Sequence, residues 1–325
     1  MGAVGHDTLS EVLRAVRLNG AVFFAIDASG PWVAEAPPAR EIGHLLLPGA
    51  EHVMEYHVVS RGSCWGGIVG EAPVRLETGD VIAFPRGDAH VISSAPGMRG
   101  AVEPALYRSR DERRWPVRLD MAGDGSDPAR LICGFLGCDA RPFNPLLATL
   151  PRTLHVRPGD ADDRLGRLVE LALLESETPR AGGECVLSRL SELLFVELVR
   201  RYLSALPAEN ESWLAGLRDP SIGRALAALH DRPTRDWTLD ELAREVGLSR
   251  SALAERFTQW VGVPPMQYLA QWRMQLASSL LSGTTLSLAE IAARVGYGSE
   301  AALSRAFKRQ VGVSPGEWRR ERRGG

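Results

Sequence analysis

Residues 238–269 read TLDELAREVGLSRSALAERFTQWVGVPPMQYL, and residues 287–318 read SLAEIAARVGYGSEAALSRAFKRQVGVSPGEW. The two stretches are copies of one unit. Leu242, Ala243, Val246 and Gly247 map onto Ile291, Ala292, Val295 and Gly296 at a shift of 49. Past the turn, Phe257, Gly262, Val263, Pro265 and Tyr268 map onto Phe307, Gly312, Val313, Pro315 and Trp318 at a shift of 50, so the second turn carries one extra residue. In each copy a short helix bearing a small Ala ends at a Gly, the residue that adopts a left-handed conformation freely and so turns the chain sharply. A second helix starts two or three residues later behind Ser249 or Ser299 as N-cap, with Leu253 and Phe257, or Leu303 and Phe307, directed to the core. This is a helix-turn-helix pattern. The polar face of its second helix is free to enter a major groove about 12 Å wide, where about one turn of side chains reaches base edges. The apolar run 266–281, MQYLAQWRMQLASSLL, has the length of one connecting helix, which would hold the two units rigidly for successive grooves about 34 Å apart.

The charge distribution agrees with this reading. The whole chain has a formal net charge of -2, but residues 219–325 hold 15 Lys and Arg against 11 Asp and Glu, leaving 23 against 29 in the first 218 residues. A basic C-terminal half, steepest beyond Arg294, suits a phosphate-facing surface. On the exposed faces of the two second helices, Arg250, Ser251 and Glu255, and Glu300, Ser304 and Arg305, are the candidate base readers, because Arg donates to guanine and Glu accepts from cytosine N4. Arg294, Lys308 and Arg309 are the candidate phosphate contacts, which set affinity and salt dependence without reading sequence.

Upstream the texture changes. From Ala21 to about Arg108 short, often alternating apolar segments (AVFFAI, EYHVV, CWGGIVG, VRLETGDVIAFP, AHVIS) are separated by Gly, Pro, Asp and Ser, the pattern of an all-β barrel or sandwich. A short helix behind a Thr cap at residues 8–18 precedes it; an irregular stretch, 109–151, and two amphipathic helices, about 161–176 and 184–205, follow. The hydrophobic helix pair is a candidate dimer seam. The expected fold class is therefore multidomain α+β: a β-barrel sensor domain over residues 1–151, a helical connector over 152–215, and an all-α domain with two helix-turn-helix units over 216–325. At 325 residues, with 45% hydrophobic and 24% charged residues, the chain has the length and composition of two globular domains. No apolar run reaches the roughly 18–20 residues that cross a bilayer, and four cysteines are too few for a disulfide scaffold, so a cytoplasmic location with reduced thiols is expected.

The duplicated unit resembles the DNA-binding domain of the AraC family of bacterial transcription regulators, over about residues 219–322, and IAARVGYGSEAALSRAFKRQVGVSPGEWR is similar to that family's signature around its second recognition helix. Residues 79–90, GDVIAFPRGDAH, resemble the second motif of the cupin barrels: Gly79, five residues, Pro85, one residue, Gly87, two residues, His90. The resemblance implies a regulator, an activator that recruits RNA polymerase and works as a dimer on double-stranded promoter DNA under control of a small-molecule effector or metal in the barrel. Where metal-binding cupins carry His-x-His, this chain reads Glu55-Tyr56-His57, and the later family Glu is missing. Glu55, His57 and His90 still form a candidate two-histidine, one-carboxylate face for a divalent metal such as zinc. Cys133 and Cys138, in CGFLGC, with Cys64 or a histidine are a second candidate zinc set. Trp32, Tyr56, Trp65 and Phe84 are candidates to line an effector cavity. The alternative function is a metal-dependent cupin enzyme with an accessory helical domain, against which stand the incomplete first motif and the absence of a Ser-His-Asp grouping or phosphate loop.

Overall fold

The computed structural model describes residues 7–103, 107, 117–157, 159, 164–178, 180–207 and 210–323, with the backbone alone at 21–23, 122 and 323. Residues 109–116 of the irregular stretch, the expected helix start at 161–163 and the Arg323 side chain lie outside the described residues. In chain order the elements begin with α1 (Thr8–Ala15), β1 (Asn19–Ser29), β2 (Val33–Ala36), α2 (Ala39–Leu46), β3 (His52–Arg61) and β4 (Ser63–Ile68). They continue with β5 (Val74–Glu77), β6 (Val81–Phe84), β7 (His90–Ser93), β8 (Val117–Ala122), β9 (Ala129–Cys138), α3 (Pro145–Thr149) and β10 (Leu154–Val156). The helices α4 (Arg164–Glu177), α5 (Gly183–Ala205), α6 (Trp213–Gly216) and α7 (Ile222–Asp231) follow. The repeat itself forms α8 (Leu239–Val246), α9 (Arg250–Val261), α10 (Pro265–Gly283), α11 (Leu288–Arg294), α12 (Glu300–Val311) and α13 (Pro315–Arg323).

Packing divides the chain into two compact units, one of residues 18–138 and 150–205, the other of residues 1–17, 139–149 and 206–325. These boundaries differ from the linear ones at 151 and 215. The connector helices pack with the strands, whereas α1 and the segment after β9 pack with the C-terminal helices, because burial follows complementary faces and not chain order.

In the strand-rich unit a six-stranded sheet, β10-β6-β3-β9-β1-β8, faces a four-stranded sheet, β2-β7-β4-β5. Among the described residues the sheets do not close into one barrel; they enclose a core that includes Phe24, Ile26, Trp32, Leu76, Ile82, Phe84, Ile92 and Phe135. Within GDVIAFPRGDAH, Gly79 and Gly87 take φ of 92° and 67°, and a Cβ on Gly87 would meet the Val53 carbonyl oxygen at 2.8 Å, so the two turns flanking β6 require glycine. Strand alternation sorts β3 and β9 between faces. Glu55 and His57 lie opposite Phe135 and Cys133 on the inner face, while Tyr56 lies opposite Gly134 on the outer one. Helix α5 covers that outer face. The Tyr56 hydroxyl is 2.6 Å from Ser191 Oγ, Ser188 Oγ donates to the Gly20 carbonyl, and a Cβ on Gly134 would fall 2.4 Å from the Tyr56 ring.

In the helical unit the repeat extends to the caps. Thr238 with Glu241 and Ser287 with Glu290 each form a capping box, side chain and backbone satisfying one another at the start of α8 and α11. Ser249 and Ser299 cap α9 and α12 through the amides of Ala252 and Ala302. Replacing Thr238 by Ala should cost about 1 kcal/mol of stability, read as a lower urea midpoint at unchanged slope; no shift would mean that Glu241 alone holds the helix start. At α1 the cap is Asp7, which accepts from Ser10 N at 3.1 Å, and not the expected Thr8, which is buried. Helix α10 serves both copies. Its Tyr268 accepts from Trp213 Nε1 at 2.8 Å and packs on Phe257, whereas Met274, Ala277 and Leu281 join the core built from Ile291, Leu303, Phe307 and Trp318. A helix that supplies both cores fixes the two units to each other.

Candidate functional site

The candidate reading surface follows from which sides of α9 and α12 are used internally. Leu253, Phe257, Leu303 and Phe307 are fully buried, as their spacing requires. Gly247 closes α8 with φ 72°, and Gly296, at φ 80°, opens the longer second turn through Tyr297 and Gly298. Arg250, Ser251 and Glu255 of α9 and Glu300, Arg305, Lys308 and Arg309 of α12 are exposed, as is Arg294 at the end of α11. Ser304 is half-buried, one position round from the exposed stripe. Arg250 stands 3.5 Å from Asp240, a solvent-exposed pair of little energetic weight. Ala301, Thr258, Gln259 and Gln310 are also exposed on these helices; only the helix rotation set by packing identifies them.

The basic tail is less uniform than its sequence suggests. Arg319 donates to the Leu286 carbonyl at 2.6 Å, and Arg322 lies over the Trp318 ring at 4.3 Å and donates to Asp139 at 3.0 Å. Upstream, Arg273 donates to the carbonyls of Pro233 and Arg235. These three arginines are structural, because their guanidinium donors already satisfy backbone or buried acceptors.

In the strand-rich unit a cavity of about 340 Å³ opens on the inner face of the large sheet. Its floor holds Glu55, His57, His90 and Cys133; Phe24, Ile26, Ile92, Leu119, Met121 and Tyr107 form apolar stretches of wall, and Glu35, Glu103, Arg118 and Asp120 add charged groups to the lining. The aromatic residues expected from the sequence are elsewhere. Trp32 and Phe84 are in the core, Tyr56 points to α5, and Trp65 is absent from the lining, since each falls on the other face of its strand or behind the first layer. Phe24 and Tyr107 take their place, from strands and turns whose approach no local motif announces.

Glu55, His57 and His90 come together, with one donor atom of each within 4.8 Å of the others and all three residues buried. Residues 55 and 57 share a face of β3, and the turn at Gly87 delivers His90 across the sheet gap at the start of β7. The nitrogens His57 Nε2 and His90 Nε2 are 2.8 Å apart, and the Glu55 oxygens lie 3.8 Å and 3.5 Å from them. Burial pushes the Glu55 carboxyl up to about 8, lowers His90 to about 4 and holds His57 well below its ordinary value, so all three are uncharged at neutral pH. His90 Nδ1 is 2.9 Å from the Asp88 carbonyl, an acceptor only, which fixes the hydrogen on Nδ1 and leaves Nε2 as a lone pair facing the cavity. His57 Nε2–H then donates to His90, and His57 Nδ1 accepts from the Cys133 thiol at 2.7 Å.

This donor set fits a divalent cation. Two imidazole nitrogens and a carboxylate oxygen with spacings of 2.8, 3.5 and 3.8 Å bracket the edge of about 3.3 Å expected for a tetrahedron built on bonds near 2.05 Å. The cysteine set is not brought together. Five residues of extended strand put Cys133 and Cys138 on opposite faces of β9, roughly 16 Å apart along it, with Cys133 at His57 and Cys138 paired to His52 at the far end. Cys64 is buried in the core, its thiol pushed up to about 12. Among the described residues, no group of three metal-ligating side chains includes a cysteine.

A family model described as Cupin matches residues 7–204, and one described as Helix-turn-helix domain matches residues 242–321. A pocketed, strand-rich domain ahead of a doubled helix-turn-helix defines a class of protein, the two-domain regulators of transcription that bind DNA. The chain belongs to the AraC family of transcription regulators. A putative AraC-like transcription regulator of Streptomyces lividans is 33% identical over 97% of this chain and 98% of its own. The regulator AlkR of Acinetobacter baylyi is 28% identical over 97% of this chain and 99% of its own, and MtrA of Neisseria gonorrhoeae is 33% identical over 82% and 85%. Among solved structures, the DNA-binding domain of AdpA in complex with a target DNA is 32% identical, with a TM-score of 0.31, over 33% of this chain and 97% of that one. No helix among the described residues is long and apolar enough to cross a membrane.

Proposed function

We propose that this regulator reads promoter DNA through α9 and α12 and that occupancy of the strand-domain cavity sets its DNA affinity. The observation that carries the second half is the convergence of Glu55, His57 and His90 at the floor of a cavity whose walls are partly apolar. These three residues would hold a divalent metal such as zinc at the floor of the cavity. Bound there, the metal supplies a Lewis-acidic anchor for an oxygen or nitrogen of a small organic effector whose apolar part the walls enclose. For its part, the protein orients the ligand nitrogens: Asp88 fixes His90, and Cys133 accepts from His57 Nδ1 once Nε2 is used as a lone pair. An effector changes DNA binding only through unequal affinity for two arrangements, and a tenfold effect requires about 1.4 kcal/mol of coupling.

On DNA, Arg250, Ser251, Glu255, Glu300, Ser304 and Arg305 supply base readout, and Arg294, Lys308 and Arg309 supply phosphate contacts. Replacing Lys308 by Ala should weaken binding to all sequences alike and lower the slope of log affinity against log salt by about 1. Replacing Arg305 by Ala should instead cost about 1–3 kcal/mol and relax preference at one base pair. Titrations of both variants on specific and scrambled duplexes decide between these roles, and a Lys308→Ala loss confined to one sequence would reverse the assignment.

Dimerisation through α4 and α5 is supported by Leu171, Leu174, Val186 and Leu193, large apolar side chains about half exposed on the two helices. Family membership supports cytoplasmic action as an activator that contacts RNA polymerase. The test of the whole reading is a footprint of the full chain on DNA upstream of its own gene and its neighbours, at two salt concentrations with and without zinc. A protected tract over two successive major grooves on one face, altered by zinc, is expected. Failure to protect any fragment at low salt would remove the DNA-reading assignment, and protection indifferent to zinc and to a small-molecule panel would remove the sensor assignment.

A further inference from the structure

The DNA-binding unit includes a strap, residues 139–149, that leaves the end of β9 and returns to β10. Two of its side chains, two positions apart, touch the aromatic residue behind each recognition helix. The Phe143 ring meets the Tyr268 ring edge-on, with centroids 5.3 Å apart, and Tyr268 packs on Phe257 of α9. The Arg141 guanidinium lies 5.6 Å from the Trp318 ring centroid, and Trp318 packs on Phe307 of α12. Between these points the strap is bonded to the middle of α10. The Phe143 amide donates to Gln275 Oε1 at 3.1 Å, and Gln275 Nε2 donates to the Ala15 carbonyl at 2.9 Å, which Ser279 also reaches at 2.6 Å. Gln275 is 0% exposed. A fully buried amide inside an otherwise apolar helix stretch is tolerated because both of its polar ends find partners, and those partners come from outside the repeat.

The start of the strap is held by charge. Buried Asp139 accepts from Arg17 at 2.7 and 2.8 Å and from Arg322 of α13 at 3.0 Å, while its amide donates to the Val16 carbonyl and its carbonyl accepts from Asn144. None of this covers the reading faces, since Arg250, Ser251, Glu255, Glu300 and Arg305 remain exposed. The strap therefore does not compete with DNA for its surface.

We infer that this strap, latched by Asp139, is a brace that fixes the spacing of the two recognition helices. The inference rests on the DNA-reading assignment above. The spacing is sensitive to the curvature of the connecting helix: about 10° of bend at its middle would move a recognition helix roughly 17 Å away by about 3 Å, close to the ~3.4 Å rise of one base pair. A brace tied to the first turn and the centre of α10 and to α13 of the second copy opposes that bend. It also gives the sensor a covalent line to the spacing, because the strap continues the strand whose Cys133, six residues before Asp139, contacts His57.

The experiment uses the full chain and two duplexes, the footprinted operator and the same operator with one base pair inserted between its two contacted grooves. Wild type should lose at least about tenfold in affinity on the inserted duplex. In the Arg141→Ala/Phe143→Ala double variant that penalty should fall to within about threefold, with weaker binding to the unaltered operator. Asp139→Asn, nearly isosteric, should shift the penalty in the same direction; far-UV circular dichroism and melting identify folded protein, and if the double variant does not fold, Asp139→Asn alone decides. An insertion penalty equal to wild type in the folded variants overturns the brace even if overall affinity drops. Wild-type protein that binds neither duplex overturns the DNA-reading assignment instead.

Discussion

Phe307→Ala is expected to cost about 3–5 kcal/mol of stability, the range for emptying a fully buried aromatic site, and to shorten the DNA footprint from two major grooves to one. Phe307 has no exposed surface and packs edge-on to Trp318 with ring centroids 5.8 Å apart, inside the cluster of Ile291, Leu303 and Val295. Those neighbours are anchored on three helices that cannot all move to fill the void. The loss is a large part of the 5–15 kcal/mol that a domain usually has. Its effect falls on one unit, because the first copy has its own core of Trp213, Tyr268 and Phe257. Urea unfolding followed by tryptophan fluorescence should show a new early transition, and footprinting should retain the groove read by α9. A loss below about 1 kcal/mol, or an unchanged two-groove footprint, would mean that the second unit does not depend on this core.

His90→Ala is expected to lower zinc affinity at least about 100-fold, beyond the ~10–100-fold typical of removing an outer partner of a metal ligand, while leaving the fold and zinc-free DNA binding intact. His90 contributes a lone pair whose direction is set by the Asp88 carbonyl, and its ring stacks on Phe84 with centroids 3.9 Å apart. Titration of the metal-free chain with cobalt, read by visible absorption, gives stoichiometry and affinity together. Wild type should bind one equivalent, and Cys138→Ala should bind as wild type does, since that cysteine faces the other side of β9. Equal affinity in wild type and His90→Ala would move the metal away from this cluster, and a loss in Cys138→Ala would restore the cysteine set that the strand geometry disfavours. In the same titration Cys133→Ala should lose less than His90→Ala, because its thiol contacts the outer nitrogen of His57.

The DNA-reading half was legible because its signals are local. A capping Ser, a turn Gly and apolar residues three and four apart act within a dozen residues, and duplication repeats them at a fixed offset. Ser249, Ser299, Gly247, Phe257 and Phe307 accordingly stand where their spacing predicts. The trio of Glu55, His57 and His90 was legible for a related reason: alternation puts 55 and 57 on one face, and Gly79 and Gly87 bound the strand that leads to 90. The walls of the cavity were not, since Phe24, Tyr107, Leu119 and Met121 meet only when distant strands pair. Nor was the fate of the basic tail, where Arg319 and Arg322 turn inward to acceptors that the linear sequence does not place nearby.

The sequence by itself determined the two helix-turn-helix units, their connecting helix, the strand-rich domain before them and the residues able to ligate a metal, since each is written in periodicity, turn chemistry or short motifs. Only the tertiary structure decided that the strands form two open sheets, that α4 and α5 belong with them, and that α1 and residues 139–149 complete the DNA-binding unit. The reason is physical: which buried face covers which depends on complementary shape and on polar partners such as Gln275 with Ala15 and Phe143, contacts made between residues over a hundred positions apart.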